Sequence, residues 1–158
     1  MTGHFVMSSL HATDATSALH RFMDMGIEPF LVASSLLGVV GQRLIRKVCG
    51  ACVGPYEPTP EERAFYELSG GDLQKTDFVR GHGCNICGQT GYFDRVGIYE
   101  VLTITDDVKD LIIGRASLAA LREAAETVGM QTLRDQAVNL VESNATTIAE
   151  VLRTVYVL

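Results

Sequence analysis

The sequence predicts a mixed α/β protein in three parts, and three observations support that prediction. An apolar, β-branched segment from His4 to His11 has the composition of a buried strand. Two Cys-x-x-Cys pairs, which contain all four cysteines of the chain, enclose a middle unit. From Thr105 onward, apolar residues recur at helical spacing. We therefore divide the chain into an α/β fragment (1–48), a four-cysteine unit (49–90) and a strand followed by a small helical bundle (91–158).

The strand predicted for residues 4–11 leads into an amphipathic helix. No predicted partner lies close by in the sequence, so we interpret it as an inner strand of a sheet whose other members belong to a longer protein. On this interpretation the chain is the C-terminal part of that protein. Thr13 or Asp14 suits the N-cap of the helix, because either side chain accepts a hydrogen bond from a first-turn amide. Gly26 is expected to end the helix.

A second helix and a second strand are predicted before the first cysteine pair. Pro29 fits the first turn of a helix, where its missing N–H group removes no hydrogen bond. The helix is expected to span about residues 30–40 and to be buried, because that stretch is apolar on nearly every side. Residues 42–48 are predicted to form a strand that leads into the four-cysteine unit.

The cysteines form two matched turns, Cys49 with Cys52 and Cys84 with Cys87, separated by the 31 residues 53–83. Two such turns brought together place four sulfurs around one point, which is the tetrahedral geometry that Zn²⁺ prefers. We predict a closed, structural Zn²⁺ site. Two disulfides, which need an oxidising compartment, and a redox-active dithiol, which needs only one pair, are the alternatives.

The segment between the two cysteine pairs is predicted to contain a helix. Thr59 suits its N-cap and Pro60 its first position, and two glutamates follow in the first turn. The helix is expected to run to about Leu68 and to stop at the two glycines that follow Ser69. Residues 72–82 are polar and less well defined by their pattern.

A strand and four helices are predicted after the second cysteine pair. The strand covers residues 95–102, with residues 91–94 as its hairpin partner. The first of these helices is expected to run from Asp106 to the residue before Gly114. The last is expected to start with a capping box formed by Thr147 and Glu150. In the second helix, after Ser117, the residues expected to face inward are Leu118, Leu121, Ala125 and Val128.

Composition and motifs exclude several functions. A net charge of −6 argues against a general nucleic-acid binder, whose affinity comes largely from neutralising phosphates. The longest apolar run, residues 30–40, is too short to span a membrane. The sequence contains no G-x-x-x-x-G-K-S/T phosphate loop, no nucleophile elbow and no H-E-x-x-H motif. Histidines and cysteines are then the remaining candidates for chemistry.

The four histidines have different sequence surroundings. His20 lies on the first helix and is interpreted as an edge residue, and His82 flanks the second cysteine pair as a loop residue or a spare ligand. His4 and His11 bracket the first predicted strand. At the carboxyl end of an inner α/β strand, His11 would lie where open sheets bind ligands, and an imidazole there can stabilise phosphate charge.

Several segments resemble the secretion ATPase superfamily. Residues 2–15, TGHFVMSSLHATDA, resemble its histidine box. Residues 25–44, MGIEPFLVASSLLGVVGQRL, are similar to the type II secretion and type IV pilus assembly branch. The four-cysteine unit, RVGIYE at 95–100 and GMQTLR at 129–134 match that branch in the same order. Retraction ATPases of the superfamily lack the four-cysteine insertion, so the assembly and secretion branch is favoured.

The resemblance implies a cytoplasmic hexamer, peripheral to the inner membrane, in which residues 1–48 are part of a RecA-like domain. ATP hydrolysis with Mg²⁺ in the full-length protein would power type II secretion or type IV pilus assembly. The implied partners are an inner-membrane platform protein and the other subunits of the hexamer, without nucleic acid. His4 and His11 match the two histidines of the box, close to the terminal phosphate of the nucleotide. Ala12 and Thr13 depart from the Thr-Asn that the family more often has there.

Two other functions fit the same residues. The chain could be a non-catalytic, zinc-stapled protein-interaction module, or, less consistently with two matched pairs, a dithiol redox protein. A phosphate loop encoded upstream would favour the ATPase over the interaction module. Thiol reactivity would separate the redox protein from both, since thiolates held by zinc react slowly.

The 158-residue chain alone is predicted neither to bind ATP tightly nor to hydrolyse it. It contains neither the Walker A loop nor the Walker B strand of the family that it resembles. Without the amides and the lysine of a phosphate loop, no group in the chain can hold the nucleotide phosphates. Phosphate release by the purified chain should equal that of a His11→Ala control. Turnover above that control would contradict the prediction.

Overall fold

A computed structural model describes residues 3–156 of the chain. Its packing divides into two units. The first unit contains the residues up to Gly41 together with Val101–Met130, and the second contains Gln42–Glu100 together with the residues from Gln131 onward. The elements, in chain order, are α1 (Ala15–Asp24), α2 (Pro29–Ser35), β1 (Gly38–Val48), β2 (Val53–Pro55), α3 (Pro60–Leu68), β3 (Val79–Gly81), β4 (Tyr92–Thr103), α4 (Asp106–Ile113), α5 (Leu118–Thr127), α6 (Leu133–Glu142) and α7 (Ile148–Val151), and a π-helical turn (Leu152–Tyr156) follows α7.

The strands of the described residues form two ladders, β1 with β4 and β2 with β3. Hydrogen bonds at both ends show that β1 and β4 are antiparallel: the Cys49 amide donates to Gly91 (2.9 Å) and the Ile104 amide to Leu37 (3.1 Å). The β2–β3 ladder is also antiparallel, with Val53 opposite Gly81. The strand predicted for residues 42–48 is therefore confirmed and longer than expected.

The first unit forms an apolar core between α1, α2, α4 and α5. Asp14 caps α1 as predicted, since its carboxylate accepts from the Ser17 amide at 2.7 Å, and the Ser17 hydroxyl accepts in return from the Asp14 amide at 3.0 Å. The same carboxylate receives Arg122 of α5 at 2.9 Å. Gly26 follows the helix with φ of +81°, as its predicted role requires. The core residues are Ala15, Leu19, Val32, Ala33, Leu102, Ile104, Val108, Ile112, Leu121, Ala125 and Met130.

The strand predicted for residues 4–11 is wrong in this structure. Residues 3–12 have no regular secondary structure and are exposed, with Met7 86% exposed. A strand needs a neighbour for its backbone N–H and C=O groups. Among residues 3–156 no strand pairs with this segment, so its backbone groups are left to the solvent.

Two further local predictions are corrected by long-range pairing. The second helix ends at Ser35 instead of reaching residue 40, and Phe30 is 65% exposed instead of buried. Residues 38–41 belong to β1, because pairing with β4 satisfies their backbone groups. Residues 91–94 do not form a separate hairpin arm, since Tyr92–Thr103 is one continuous strand.

The helices after Thr105 are divided between two cores. Helices α4 and α5 pack in the first unit, and α6 and α7 in the second. Leu121 and Ala125 are buried as expected, whereas Leu118 and Val128 are exposed. The second core consists of Ile45, Tyr66, Phe78, Ile98, Leu133, Ala137, Val138, Val141, Ile148 and Val151. The helices after Thr105 therefore do not pack as the single bundle that was predicted. The predicted domain boundaries after residues 48 and 90 stay a prediction.

The segment between the cysteine pairs folds onto the second core. Its helix has the predicted bounds and a capping box, in which the Thr59 hydroxyl accepts from the Glu62 amide and the Glu62 carboxylate accepts from the Thr59 amide. Phe78, in the stretch that the pattern left undefined, is buried. The cationic groups of Arg63 and Lys75 both lie 5.4 Å from its ring centre, and the Tyr66 ring meets it edge-on at 5.3 Å.

Glu150, at the start of α7, forms only half of the predicted capping box. Its amide donates to the Thr147 hydroxyl at 3.1 Å, but its carboxylate accepts from Arg46 and Arg153 instead of from the Thr147 amide. Burial raises the pKa of this carboxyl, and the hydrogen bonds from Arg153 and Arg46 outweigh burial and lower the pKa from 4.5 to about 2. The ionised form is therefore the one that the fold stabilises.

This shift predicts a pH dependence of folding. Because the pKa is lower in the folded chain than in the unfolded chain, Glu150 stabilises the fold above its unfolded pKa, and that contribution is lost as the pH falls toward its folded pKa. Denaturant unfolding between about pH 6 and pH 2 should show the stability advantage of wild type over Glu150→Gln shrinking with acid. Glu123→Gln, exposed on α5, should follow the wild-type curve. A constant advantage over Glu150→Gln would contradict this interpretation.

Candidate metal centre

The four cysteines lie together in the second unit. All four Sγ atoms are within 4.8 Å of one another, and all four are free thiols. The sulfurs of Cys49 and Cys84 are 3.9 Å apart, as are those of Cys52 and Cys87, and Cys84 and Cys87 are 3.7 Å apart. These separations are far longer than a disulfide bond of about 2.05 Å. The predicted clustering of the two pairs is therefore confirmed.

The size and chemistry of this cluster fit a tetrahedral metal ion. With a Zn–S distance of about 2.3 Å, the sulfurs of a tetrahedral site lie about 3.8 Å apart. Three of the six sulfur pairs lie 3.7–3.9 Å apart, close to that edge length, and all four sulfurs lie within 4.8 Å of one another. Four sulfur donors also complete the coordination of Zn²⁺, so such a site has no open position for a substrate. The residues present thus fit a structural metal site.

The two ladders bring the cysteine pairs together. Cys49 follows β1 and Cys52 precedes β2, whereas Cys84 and Cys87 lie between β3 and β4. The β1–β4 ladder holds the start of the first Cys-x-x-Cys turn beside the end of the second. The β2–β3 ladder holds the end of the first turn beside the start of the second. The bond from the Cys49 amide to Gly91 extends one ladder to a ligand, and the bond from the His82 amide to Cys52 (3.0 Å) extends the other.

Backbone amides polarise one of the sulfurs. The amides of Cys84 and Gly91 donate to Cys87 Sγ at 3.2 and 3.3 Å. Burial raises the pKa of the Cys87 thiol, but these amides outweigh burial and lower it to about 6. Burial raises the pKa of Cys52 to about 11, and hydrogen bonds with the other sulfurs add to the increase. Ionisation of Cys52 beside the other sulfurs is therefore favoured by a bound cation.

Gly81 and Gly91 approach each other closely beside the cysteines. A Cβ atom on either glycine would overlap the backbone of the other. Gly91 also has φ of +77°, donates its amide to Cys87 and accepts from Cys49. The sequence signals that both residues are glycines near a metal-binding turn, but their mutual contact depends on β3 meeting the start of β4, which no local pattern predicts.

Among the described residues, the metal-binding cluster contains the four cysteines and no histidine. His82 does not join the group of four, and its imidazole lies over Gly54. His20 is half-buried on α1, and His4 and His11 are exposed in the irregular segment 3–12. The structure thus disfavours His82 as a spare ligand, while the role assigned to the other pair by resemblance stays a prediction.

Comparison with known proteins identifies the family. Residues 1–153 match the family described as "Type II/IV secretion system protein", so the chain belongs to that family. It is 38% identical over 152 residues to the "Type IV pilus assembly ATPase PilB" of Thermus thermophilus. It is 39% identical over 153 residues to the "Type II secretion system ATPase E" of Vibrio cholerae, and 41% identical over 153 residues to the "Type II secretion system protein E" of Pseudomonas aeruginosa. The resemblance drawn from the motifs is confirmed.

The chain spans only a minor part of these relatives. The alignments cover 96–97% of this chain but 17% of the Thermus protein and 30% of each of the other two. Within residues 3–156, each helix is too short or too polar to cross a bilayer. The activity of a whole family member is therefore something to propose for this chain.

Substituting Gly81 by alanine should destabilise the second unit strongly. The added methyl group would overlap the Gly91 carbonyl, and relief requires the backbone beside the cysteines to move. We expect a loss of about 3 kcal/mol in the free energy of unfolding, together with weaker metal retention. Chemical denaturation and elemental analysis would measure both quantities.

Gly70→Ala is the matched control for that substitution. Gly70 has φ of +87° but nothing within 4 Å of an added Cβ atom, so the variant has backbone strain without a clash. Its cost should be about 1–2 kcal/mol with metal content unchanged. Equal effects of the two substitutions would show that the close approach of Gly81 and Gly91 is unimportant.

Proposed function

We propose that this chain is the C-terminal region of a hexameric cytoplasmic ATPase that powers type II protein secretion or type IV pilus assembly. The observation that carries the proposal is the match of residues 1–153, at about 40% identity, to relatives with those names. In the complete protein, ATP hydrolysis would be coupled to an inner-membrane platform protein. The described residues supply parts of this machine and not its phosphate-binding loop.

Residues 1–48 are proposed to complete a RecA-like nucleotide-binding core. His4 and His11 would then donate hydrogen bonds to the terminal phosphate region of bound ATP with its Mg²⁺. Their exposure in the segment 3–12 supports this, because neither imidazole is enclosed in the core of the first unit. The segment would gain strand partners from the complete core, which would satisfy its backbone groups.

The cysteine cluster is proposed to hold one structural Zn²⁺. The ion would neutralise the four thiolates and fasten the ends of the two ladders together. Structural zinc contributes on the order of 10 kcal/mol in zinc-finger peptides that fold only with metal, and its share should be smaller in this unit, which has an apolar core. Three sulfur separations close to a tetrahedral edge support Zn²⁺, and the clustering of all four sulfurs argues against an independent redox pair.

A non-catalytic, zinc-stapled interaction module is the second candidate. It is favoured by the combination of a complete cysteine cluster with no phosphate loop in the 158 residues. The two candidates differ in whether the chain supports ATP turnover when it is joined to the remainder of a family member.

A chimera can test the proposed motor function. In the Vibrio cholerae relative, the matching segment would be replaced by residues 1–153 of this chain. Because the family match covers the whole segment, the chimera should retain at least roughly a tenth of the parent's turnover, equivalent to about 1.4 kcal/mol in activation free energy. The control is the parent with the segment deleted. A folded chimera of parental oligomeric state with turnover no higher than that control would favour the interaction module.

The zinc proposal has a separate test in the chain itself. Elemental analysis of the purified chain should give one zinc per chain, and Cys84→Ser should abolish it. Because two ladders end at the cysteines, the variant should also be cleaved between residues 49 and 90 in limited proteolysis. Helix α1, which packs in the other unit, provides the internal control. A folded wild-type chain without metal, or a variant with unchanged proteolysis, would refute the structural zinc.

A further inference from the structure

The connection between α6 and α7 hydrogen-bonds to the free edge of β1 beside the first cysteine pair. The Val48 amide donates to the Ala145 carbonyl at 2.9 Å, and the Thr146 hydroxyl donates to the Arg46 carbonyl at 2.8 Å. The Arg46 amide donates to the Glu150 carboxylate at 3.2 Å. Residues 145–150 thereby satisfy an edge that would otherwise be open, because the opposite edge of β1 pairs with β4.

One buried carboxylate joins this edge to the C-terminal segment. The Glu150 side chain is fully buried. Arg46 donates to Oε2 through Nε at 3.0 Å and Nη2 at 2.6 Å. Arg153 donates to Oε2 at 2.9 Å and Oε1 at 2.7 Å, and Thr154 to Oε1 at 3.3 Å. A buried carboxylate with these donors is stable, and removing one of the two arginines leaves its charge only partly compensated.

A second contact runs from the start of β4 to the start of α7. The Arg46 guanidinium lies 4.3 Å from the centre of the Tyr92 ring, and the Tyr92 hydroxyl is 2.7 Å from the Thr147 hydroxyl that caps α7. Tyr92 directly follows Gly91, whose amide donates to Cys87 Sγ. Contacts from both strands therefore lead from the cysteine ligands to α7.

We propose that the metal centre orders residues 145–154, and that Arg46 and Glu150 are the positioning residues through which it does so. The inference rests on the proposed metal centre. A bound ion fixes Cys49 at the end of β1 and Cys87 beside the start of β4. Those strand ends fix Arg46 and Tyr92, and only then does the buried carboxylate have its full set of donors. The metal thus orders a segment that lies about 100 residues after its first ligand pair in the sequence.

Amide hydrogen exchange of the 158-residue chain tests this coupling. The zinc-loaded and chelator-treated forms of wild type, Glu150→Gln and Arg46→Lys would be compared, with metal content measured for each sample. Chelation should accelerate exchange in residues 145–154 of wild type roughly tenfold or more. In both variants that exchange should already be fast with zinc bound, and chelation should add little. Arg46→Lys retains the positive charge and provides a second reading if Glu150→Gln does not fold.

The controls separate coupling from general loss of stability. Lys109→Gln, which removes an exposed ion pair with Asp106 in the first unit, should behave as wild type. Helix α6 should keep its protection, since it contributes four residues to the apolar core and none to the hydrogen bonds of Glu150. If Glu150 acts independently of the metal, substitution and chelation should each multiply the exchange rate by its own factor. If the metal acts through Glu150, chelation should have little further effect on the exchange rate of the variant.

Three outcomes would overturn the proposal. The first is equal protection of residues 145–154 in zinc-loaded and chelated wild type. The second is independent, multiplicative effects of chelation and substitution. The third is equal acceleration in α6, which would indicate global unfolding of the second unit. A wild-type chain that binds no metal would instead refute the metal centre itself, and the elemental analysis distinguishes that failure from the other three.

Discussion

The antiparallel pairing of β1 with β4 is the constraint on which the second unit depends. It brings Cys49 beside Gly91, and so places the first cysteine pair against the second across 31 intervening residues. The shorter β2–β3 ladder pairs the residues that follow Cys52 with those that precede Cys84. The cysteine cluster is thus a consequence of two ladders, and a metal ion bound there would stabilise both ladders in return.

The second unit is stabilised by an apolar core and by a buried ion-pair network. The apolar core anchors α6 and the segment between the cysteine pairs, where Phe78 packs among one aromatic ring and two cationic side chains. The short helix α7 contributes Ile148 and Val151 to the same core and is held in addition by the buried Glu150 carboxylate and its arginine partners. Such ion pairs add less net stability than apolar packing, but they fix geometry, because a buried charge tolerates few alternative arrangements.

Family membership and structure assign different parts of the function to this chain. The family match places the chain among secretion system proteins, and the relatives are three or more times as long as the part that aligns. The described residues contain a complete candidate metal centre and the exposed segment that carries His4 and His11. The printed sequence contains no phosphate loop, and the motor activity is proposed for a complete family member.

Local chemistry explains the features that could be predicted from the residues alone. Caps such as Asp14 and Thr59 act on amides three residues away, and each Cys-x-x-Cys turn defines its own pair of ligands. Residues 38–41 could not be predicted in this way: their apolar pattern favours a helix, but they pair with β4 and form part of a strand. Tertiary structure also determines that Glu150 binds Arg46 instead of completing a capping box. Ladders and ion pairs join residues distant in the chain, and no local pattern encodes which of them meet.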